Sequence, residues 1–301
     1  MTDAMQRFRV VAPEAGMRML IAGLRDLRAR ARADWAPLLV PLIRAHPAIP
    51  VLRQCPLTGH ASTWPRGYPG DPGLLDLIYQ QHPLQPTNLP PDVQRITAIV
   101  QGGAPCRSIR IRRMLLADAI DAIAGRFPGA HILSLACGHL REAEWSIALA
   151  AGTVERLVAA DQDEAALRTL AHDYHSRFPA IAPTPLSVRD VLEGHGEALG
   201  RFHLVYAAGL CDYLPAPVAQ LLALRLFGLL HPGGRLLLGN FGTGMVEIAY
   251  MESIMAWPLQ WRTPDEIAAF ADPIPAGETA ARRVWPDPTS SCWYLEIERI
   301  C

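Results

Sequence analysis

Two neighbouring stretches decide the fold: ILSLACGHLRE at residues 132–142 and AADQDEAAL at residues 159–167. The first is an apolar strand that runs into a turn of small residues. The second ends a strand with an acidic residue, Asp161, and then starts a helix. This order is typical of a parallel sheet that binds a nucleotide or nucleoside at its strand ends, where the acidic side chain accepts hydrogen bonds from the ribose hydroxyls. The alternative is an ordinary tight turn between strand and helix.

The rest of the second half repeats the alternation of strand and helix. The pattern predicts a Rossmann-like, doubly wound α/β fold with a mostly parallel sheet. Strands are expected at 131–136, 156–161, 184–191, 202–209 and 234–241. Helices are expected from the first turn to about residue 152, at 164–178 and at 217–230, with a turn at 231–234 and a closing hairpin formed by RRVWPD and SCWYLEIERI.

The first 128 residues have no comparable strand pattern. Apolar residues three and four apart predict helices at 18–44, 73–80 and 96–123, and proline-rich connectors lie at 47–72 and 83–91. We therefore expect an N-terminal helical cap or lid over residues 1–128 and the binding domain over residues 129–301.

Composition excludes several kinds of chemistry. All 28 basic residues are arginine, so no lysine can form a Schiff base or hold a phosphate in a P-loop. The net charge of −1 argues against binding nucleic acid or an anionic membrane by bulk charge. Arginine-only usage, with abundant alanine and proline, is also what codon bias in a GC-rich genome produces.

Six scattered cysteines form no CxxC motif and no Cys/His ligand pattern. They predict free thiols in a reducing cytoplasm and no metal site. No secretory signal and no apolar stretch long enough to span a membrane is evident. The sequence leaves the oligomeric state open, a homodimer included.

The residues of the turn after the first strand limit the class of ligand that can bind there. Gly138 is the only glycine among the three positions of a GxGxG pattern; Ala136 and Leu140 occupy the other two. A leucine there crowds a pyrophosphate, which favours a ligand without one. S-adenosylmethionine is such a ligand, because it carries adenosine and no phosphate.

The segments from residue 130 to residue 299 resemble the class I S-adenosylmethionine-dependent methyltransferases, and LLHPGGRLLLGNF (229–241) resembles the turn and fifth strand of that family. The resemblance implies a seven-stranded sheet, S-adenosylmethionine as cofactor and a small-molecule or peptide substrate. It also implies that Asp190 reaches the adenine and that the fourth strand ends where methyl donor and acceptor meet.

A narrower resemblance covers residues 66–263. RGYPGDPGLLDLIY (66–79), SIRIRR (108–113), CGHLRE (137–142), DQDEAAL (161–167), VYAAGLCDYL (205–214) and, after GNF, YMESIMAWPLQWRT (250–263) are similar to the extracellular-factor 3-hydroxypalmitate methyl ester biosynthesis family. That family implies methylation of a carboxylate oxygen on a small molecule, a fatty acid or a peptide.

These resemblances and the motifs predict three groups of site residues. The predicted cofactor contacts are Tyr68, Asp71, Ser134, Ala136, Gly138, Arg141, Asp161, Gln162, Asp190, Val191, Ala208, Asp212 and Tyr213. The predicted acceptor wall consists of Asn240, Glu252, Trp257 and Arg262. The predicted catalytic residues are Arg113, Arg110, Tyr79 and His139. Glu142 suits a helix N-terminus, and it also suits the cationic end of S-adenosylmethionine.

A carboxylate acceptor needs little acid–base help, because its pKa of about 4 leaves it ionised at neutral pH. It needs positioning and an arginine to hold it, and Arg110, Arg113 and Arg262 are the candidates. The alternative is an O-, N- or C-methyltransferase acting on a hydroxyl, amine or carbon, which needs a base. His139 is then either that base or an exposed loop residue. A second alternative is a degenerate protein that binds S-adenosylmethionine without turnover.

Overall fold

The computed structural model describes residues 13–80 and 88–301. The chain divides into two compact units: Met1–Arg110 with Gly244–Leu259, and Ile111–Thr243 with Gln260–Cys301. The predicted boundary at residue 128 differs from this division in two ways. The first unit ends within the helix Ala104–Arg126, and it includes a segment from the second half of the chain.

The second unit contains one seven-stranded sheet in the order β3-β2-β1-β4-β5-β7-β6. Its first five strands are parallel, whereas β7 runs antiparallel to both β5 and β6. The strands are β1 Ala130–Leu135, β2 Val154–Asp161, β3 Ile181–Pro185, β4 Phe202–Ala208, β5 Leu230–Phe241, β6 Thr279–Pro286 and β7 Cys292–Arg299. The α/β class and the mostly parallel sheet are therefore confirmed.

Burial of the strands follows their place in the sheet. The central strands β1 and β4 are buried over most of their length, as expected for parallel strands covered on both faces. The edge strands β3 and β6 are mostly exposed or half-buried. The hydrophobic core of this unit includes Leu133, Val205, Leu226 and Leu236.

Helices and short helical turns connect these strands. The α-helices of the second unit are Ile147–Ala150, Glu164–Tyr174, Val188–Leu192, Ala216–Gly228 and Pro264–Ala268, and Ala104–Arg126 contributes its last turns. The 3-10 segments are Arg141–Trp145, His195–Leu199, Cys211–Tyr213, Ala269–Ala271 and Ala276–Glu278.

The first unit is helical over its described residues. Its α-helices are Pro13–Ala31, Val40–Arg44, Ile49–Leu52, Pro56–Thr63, Pro72–Tyr79, Pro91–Gly102, Ile248–Ser253 and the start of Ala104–Arg126. A 3-10 turn, Arg32–Asp34, and a π-helical turn, Trp35–Leu39, join the first two of these. The predicted helix pair over 18–44 is confirmed, whereas most of the predicted connector at 83–91 lies outside the described residues.

Three predicted elements are wrong in detail. The strand expected at 184–191 ends at Pro185, because Ser187 and Asp190 form a capping box that starts the helix Val188–Leu192. The helix expected after β1 is a 3-10 segment and one short turn of α-helix. The turn expected at 231–234 lies within β5, where the pairing with β4 is irregular.

The described part of the chain contains no helix that is both long and apolar enough to cross a membrane.

Candidate functional site

The turn after β1 has a left-handed backbone at alternate positions. The φ angles of Ala136, Gly138 and Leu140 are +55°, +55° and +50°. These are the three positions of the GxGxG pattern, so the chain adopts at all three a conformation that glycine favours, with a glycine at only one. Each L-residue in this region costs roughly 1–2 kcal/mol, which surrounding contacts must offset. Leu140 is buried, whereas Ala136 is exposed.

Asp161 holds this turn against the end of β2. Its Oδ2 accepts the Gly138 N–H at 2.8 Å, and its Oδ1 accepts the Asp163 N–H at 2.8 Å. The side chain is buried, and this burial raises the pKa of Asp161 although the two backbone hydrogen bonds oppose the shift. Ser134 is buried in β1, and Gln162 is exposed beside Asp161. Five of the predicted cofactor contacts therefore lie on adjacent strands and their turns.

A helix N-terminus follows the turn, but a carboxylate of the protein already occupies it. Asp121 accepts the Ile147 N–H at 3.0 Å and the Ala148 N–H at 2.9 Å, and it also accepts the Ser146 hydroxyl. These contacts cap the short helix Ile147–Ala150 and hold it against the helix Ala104–Arg126.

Between the turn and that helix lie two acidic side chains with different partners. Glu142 is buried and accepts the Tyr206 hydroxyl at 2.9 Å, and burial raises the pKa of Glu142 despite this hydrogen bond. Glu144 accepts the hydroxyl of Tyr174 at 2.8 Å. Arg141, a predicted cofactor contact, donates to Asp173 at 2.7 Å.

His139 is buried within the turn, with 6% of its surface exposed. The expectation of an exposed loop histidine is therefore wrong. Its predicted role as a base stays a prediction.

The end of β4 brings together an aspartate and an arginine. Gly209 follows the strand with a φ of +100°, and a methyl group on its Cα would lie only 2.6 Å from Arg112 Nη1 and 3.8 Å from Asp212 Oδ2. Arg112 and Asp212 are both buried. Arg112 was not among the predicted arginines, although it belongs to the same SIRIRR motif, because that motif alone does not tell which arginines face inwards.

Asp212 is anchored through one carboxylate oxygen. Its Oδ1 accepts the Phe241 N–H at 2.7 Å, and its backbone carbonyl accepts the Gln260 N–H at 2.7 Å. Burial raises the pKa of Asp212 to about 6, against the opposing effects of the Phe241 hydrogen bond and the nearby arginines. The neighbouring Ala208 is half-buried, and Tyr213 is 37% exposed.

Arg262 and Asn240 form an internal network in the second unit. Arg262 donates to Asn240 Oδ1 and to the Cys211 carbonyl, each at 2.7 Å, and to the Leu214 carbonyl. Asn240 donates in turn to the backbone carbonyls of Phe241 and Gln260. These contacts stabilise the loops beyond β4 and β5, so the two residues already have structural partners beside their predicted place in an acceptor wall.

Three further predicted residues of this unit have local roles. Asp190 accepts the Ser187 backbone N–H at 2.7 Å and hydroxyl at 2.6 Å, and it caps the helix in which Val191 is buried. The guanidinium of Arg113 lies 4.7 Å from the centre of the Trp145 ring, a cation–π geometry.

The remaining predicted residues lie in the first unit. Asp71 caps the helix Pro72–Tyr79 and contacts His60 Nε2 at 2.8 Å. Burial opposes ionisation of Asp71, but hydrogen bonds from His60 and the Leu74 amide outweigh it and hold the pKa of Asp71 below its usual range. Tyr68 and Tyr79 are half-buried.

Arg110 and Glu252 also have partners within the first unit. Arg110 donates to the carbonyls of Ile78 and Gln101, at 3.3 and 2.9 Å. Glu252 accepts from Arg28 at 2.7 and 3.0 Å and from the Trp35 ring N–H at 2.7 Å. Both predicted site residues therefore connect helices of this unit.

Trp257 lines a cavity of about 310 Å³ inside the first unit. Its walls are mainly apolar and include Val100, Met251 and Met255, while Arg18 and Arg25 add positive charge. This volume is at the lower end of the range for small-molecule sites.

A possible metal cluster is confined to the surface. Asp190, Glu193 and His195 lie close enough together to share an ion; two of them are exposed and the third is half-buried. Exposed acidic groups of this kind are common without a metal.

Solved structures resemble the chain over most of its length. A possible exported protein from Bordetella parapertussis aligns with a TM-score of 0.64 and 17% identity, over 93% of this chain and 96% of that one. A candidate methyltransferase from Thermobifida fusca aligns with a TM-score of 0.54 and 17% identity, over 80% and 100%. The S-adenosylmethionine-dependent methyltransferase SibL aligns with a TM-score of 0.51 and 12% identity, over 81% and 70%.

The chain has the fold of solved methyltransferases. At these identities the likeness concerns the fold alone, and the narrower resemblance to the 3-hydroxypalmitate methyl ester family stays a prediction. No protein-family model matches the sequence, and no curated protein does so either.

Proposed function

We propose that the protein is a methyltransferase that uses S-adenosylmethionine. The observation that carries the proposal is the pairing of Asp161 with the turn after β1, where the backbone is left-handed at Ala136, Gly138 and Leu140. Asp161 gives a nucleoside its ribose acceptor. The leucine in the turn crowds a pyrophosphate, which favours a nucleoside without phosphate groups.

The Asp161 carboxylate keeps acceptor capacity for such a ligand. Its two oxygens have four lone pairs in all, and the backbone N–H groups of Gly138, Asp163 and Gln162 contact them. The remaining acceptor capacity can serve a ribose hydroxyl. Ala136, exposed in the left-handed part of the turn, leaves the backbone open to close approach.

For the acceptor we propose a carboxylate of a small molecule, a fatty acid or a peptide. Arg112 supports this choice, because a buried guanidinium beside Gly209 offers a fixed positive charge at the end of β4. The first unit separately contains an apolar cavity, whose lining carries two arginines, Arg18 and Arg25, and the acidic Glu247.

Transfer to a hydroxyl, amine or carbon is the second candidate. It is favoured by the buried Asp212, a carboxylate whose raised pKa suits a base near neutral pH. At saturating S-adenosylmethionine, a flat activity profile above about pH 5 supports a carboxylate acceptor, because no base is needed. At the same saturation, a rate that falls as pH drops through about 6 supports the second candidate.

Calorimetric titration tests the cofactor. Both S-adenosylmethionine and S-adenosylhomocysteine should bind, and Asp161→Ala should weaken both, since it removes the ribose acceptor. Asp265→Asn removes an exposed charge elsewhere in the same unit and is the matched control. The absence of binding at millimolar ligand would overturn the proposal.

Turnover is tested separately with labelled S-adenosylmethionine and panels of carboxylic acids, alcohols and amines. Mass spectrometry of compounds that copurify with the protein identifies candidates for these panels. Tight cofactor binding without transfer to any panel would instead support a degenerate protein that binds the cofactor only.

A further inference from the structure

Asp212 has one carboxylate oxygen that the fold uses and one that it does not. Oδ1 accepts the Phe241 N–H, whereas Oδ2 receives no hydrogen bond from any residue in the described ranges. The residue is nevertheless 98% buried, with a relative exposure of 2%. The Oδ2 atom itself is not fully buried. A carboxylate oxygen without a donor is suited to a ligand that supplies positive charge or a proton.

The oxygen lies where the sheet is expected to bind its ligand. Asp212 follows β4 at the carboxyl end of the parallel strands, beside Gly209, and such edges hold the ligands of open α/β sheets. Because Gly209 has no side chain, the Arg112 guanidinium packs closely against its backbone, and Asp212 Oδ2 lies at the same point of the chain.

The proposed reaction changes one charge at its centre. The acceptor forms a bond to the methyl carbon, the carbon–sulfur bond breaks, and its electron pair stays on sulfur. A sulfonium cation thereby becomes a neutral thioether. A carboxylate close to the sulfur therefore interacts strongly with the donor and weakly with the product.

We propose that Asp212 distinguishes the charged methyl donor from its neutral product: its second carboxylate oxygen attracts the sulfonium of S-adenosylmethionine and finds no charge on S-adenosylhomocysteine. This inference rests on the proposed function. It adds a reason why product leaves and fresh donor enters, since the charge that holds the donor disappears with the methyl group.

Among the groups that face one another at this position, Asp212 is the one whose charge changes near neutral pH. The positive charges of Arg112 and Arg262 act on Asp212 and favour its ionised form. Burial raises the pKa of the Cys211 thiol to about 12, and it raises the pKa of the Cys292 thiol still further. Neither thiol ionises near neutral pH, so a pH response of the donor here reports on Asp212.

Calorimetric titration of both ligands tests this proposal. Asp212→Asn keeps an oxygen for the Phe241 N–H and replaces the open oxygen by an amide. We expect the ratio of the two dissociation constants to shift by about tenfold against S-adenosylmethionine in this variant. Asp265→Asn, which removes an exposed carboxylate in the same unit, should leave the ratio unchanged.

The wild-type protein gives a second test that needs no variant. The preference for S-adenosylmethionine should decline as pH is lowered from about 7.5 to about 5, because Asp212, with a pKa of about 6, becomes protonated. Groups shared by the two ligands cancel in the ratio. A ratio that stays constant with pH, or that Asp212→Asn does not change, overturns the role of Asp212 while the proposed function stands. If neither ligand binds, both proposals fail.

Discussion

The Gly138 N–H donates to Asp161 Oδ2 at 2.8 Å, and this bond ties the turn after β1 to the end of β2. The donor belongs to a left-handed residue and the acceptor to a buried carboxylate. One interaction therefore fixes the backbone of the turn and orients the side chain that we propose to bind ribose. Binding and local stability depend on the same carboxylate.

Replacing Asp161 should consequently reduce stability even without a ligand. Asp161→Ala leaves the Gly138 and Asp163 amides without their acceptor, which costs about 1–3 kcal/mol for each buried group. Asp161→Asn keeps one acceptor oxygen and should lose less. Urea denaturation of the ligand-free protein measures both losses. Equal stability of wild type and Asp161→Ala would show that the turn does not need this bond.

Asp121 should stabilise the short helix that begins at Ile147. Asp121→Ala removes the acceptor of two backbone amides and of the Ser146 hydroxyl, and we expect a loss of about 1–3 kcal/mol in the free energy of unfolding. Asp118→Ala, at an exposed position of the same helix, is the control and should change stability by less than about 0.5 kcal/mol. Similar losses in the two variants would contradict the capping role.

Sequence patterns were sufficient for the sheet but not for its connections. Long apolar strands such as β1 and β4 are buried on both faces, so composition alone locates them. The pattern after β1 predicts one continuous helix. The α-helix found there is short and starts at Ile147, where Asp121 of a different helix caps it, and a contact of this kind is not visible in the local sequence. The start of the helix Val188–Leu192 depends on a capping box, a local signal that could have been read at Ser187 and Asp190.

The arginines show a second limit of prediction from the sequence. The motif SIRIRR marks residues 108–113 as part of a candidate site, but it does not show which of its arginines lies at the carboxyl ends of the strands. Arg110 donates to two carbonyls and Arg113 covers Trp145, whereas the unpredicted Arg112 lies beside Gly209. Which guanidinium lies at the strand ends depends on tertiary contacts that periodicity does not encode.

Acid should destabilise the second unit through a cluster of histidine rings at the start of its strands. The rings of His203 and His231 lie 4.5 Å apart, and His203 Nδ1 accepts the His131 N–H. Burial, followed by the charges of neighbouring histidines, lowers the pKa of His203; burial also lowers the pKa of His231. Both pKa values lie below the unfolded value of about 6.5, so the unfolded chain binds protons first and stability falls as pH drops below that value.

Denaturation in urea at about pH 7.5 and about pH 5.5 measures this effect. His231→Gln removes one titrating ring and should reduce the loss of stability between the two conditions. His172→Gln changes an exposed histidine in a helix and should retain the wild-type loss. If the two variants lose stability equally on acidification, the rings of His203 and His231 do not account for the effect.

Arg262 should be indispensable as an arginine, because its planar fork reaches three acceptors at once. Its partners are the carbonyls of Cys211 and Leu214 and the side chain of Asn240. Arg262→Lys keeps the charge but cannot reproduce the fork, and we expect the free energy of unfolding to fall by about 1–3 kcal/mol. Arg282→Lys is the matched control, since Arg282 also donates to two carbonyls but lies exposed on the edge strand β6. The smaller expected loss in the control reflects solvent that can replace the missing donors, and a loss as large as that of Arg262→Lys would contradict this account.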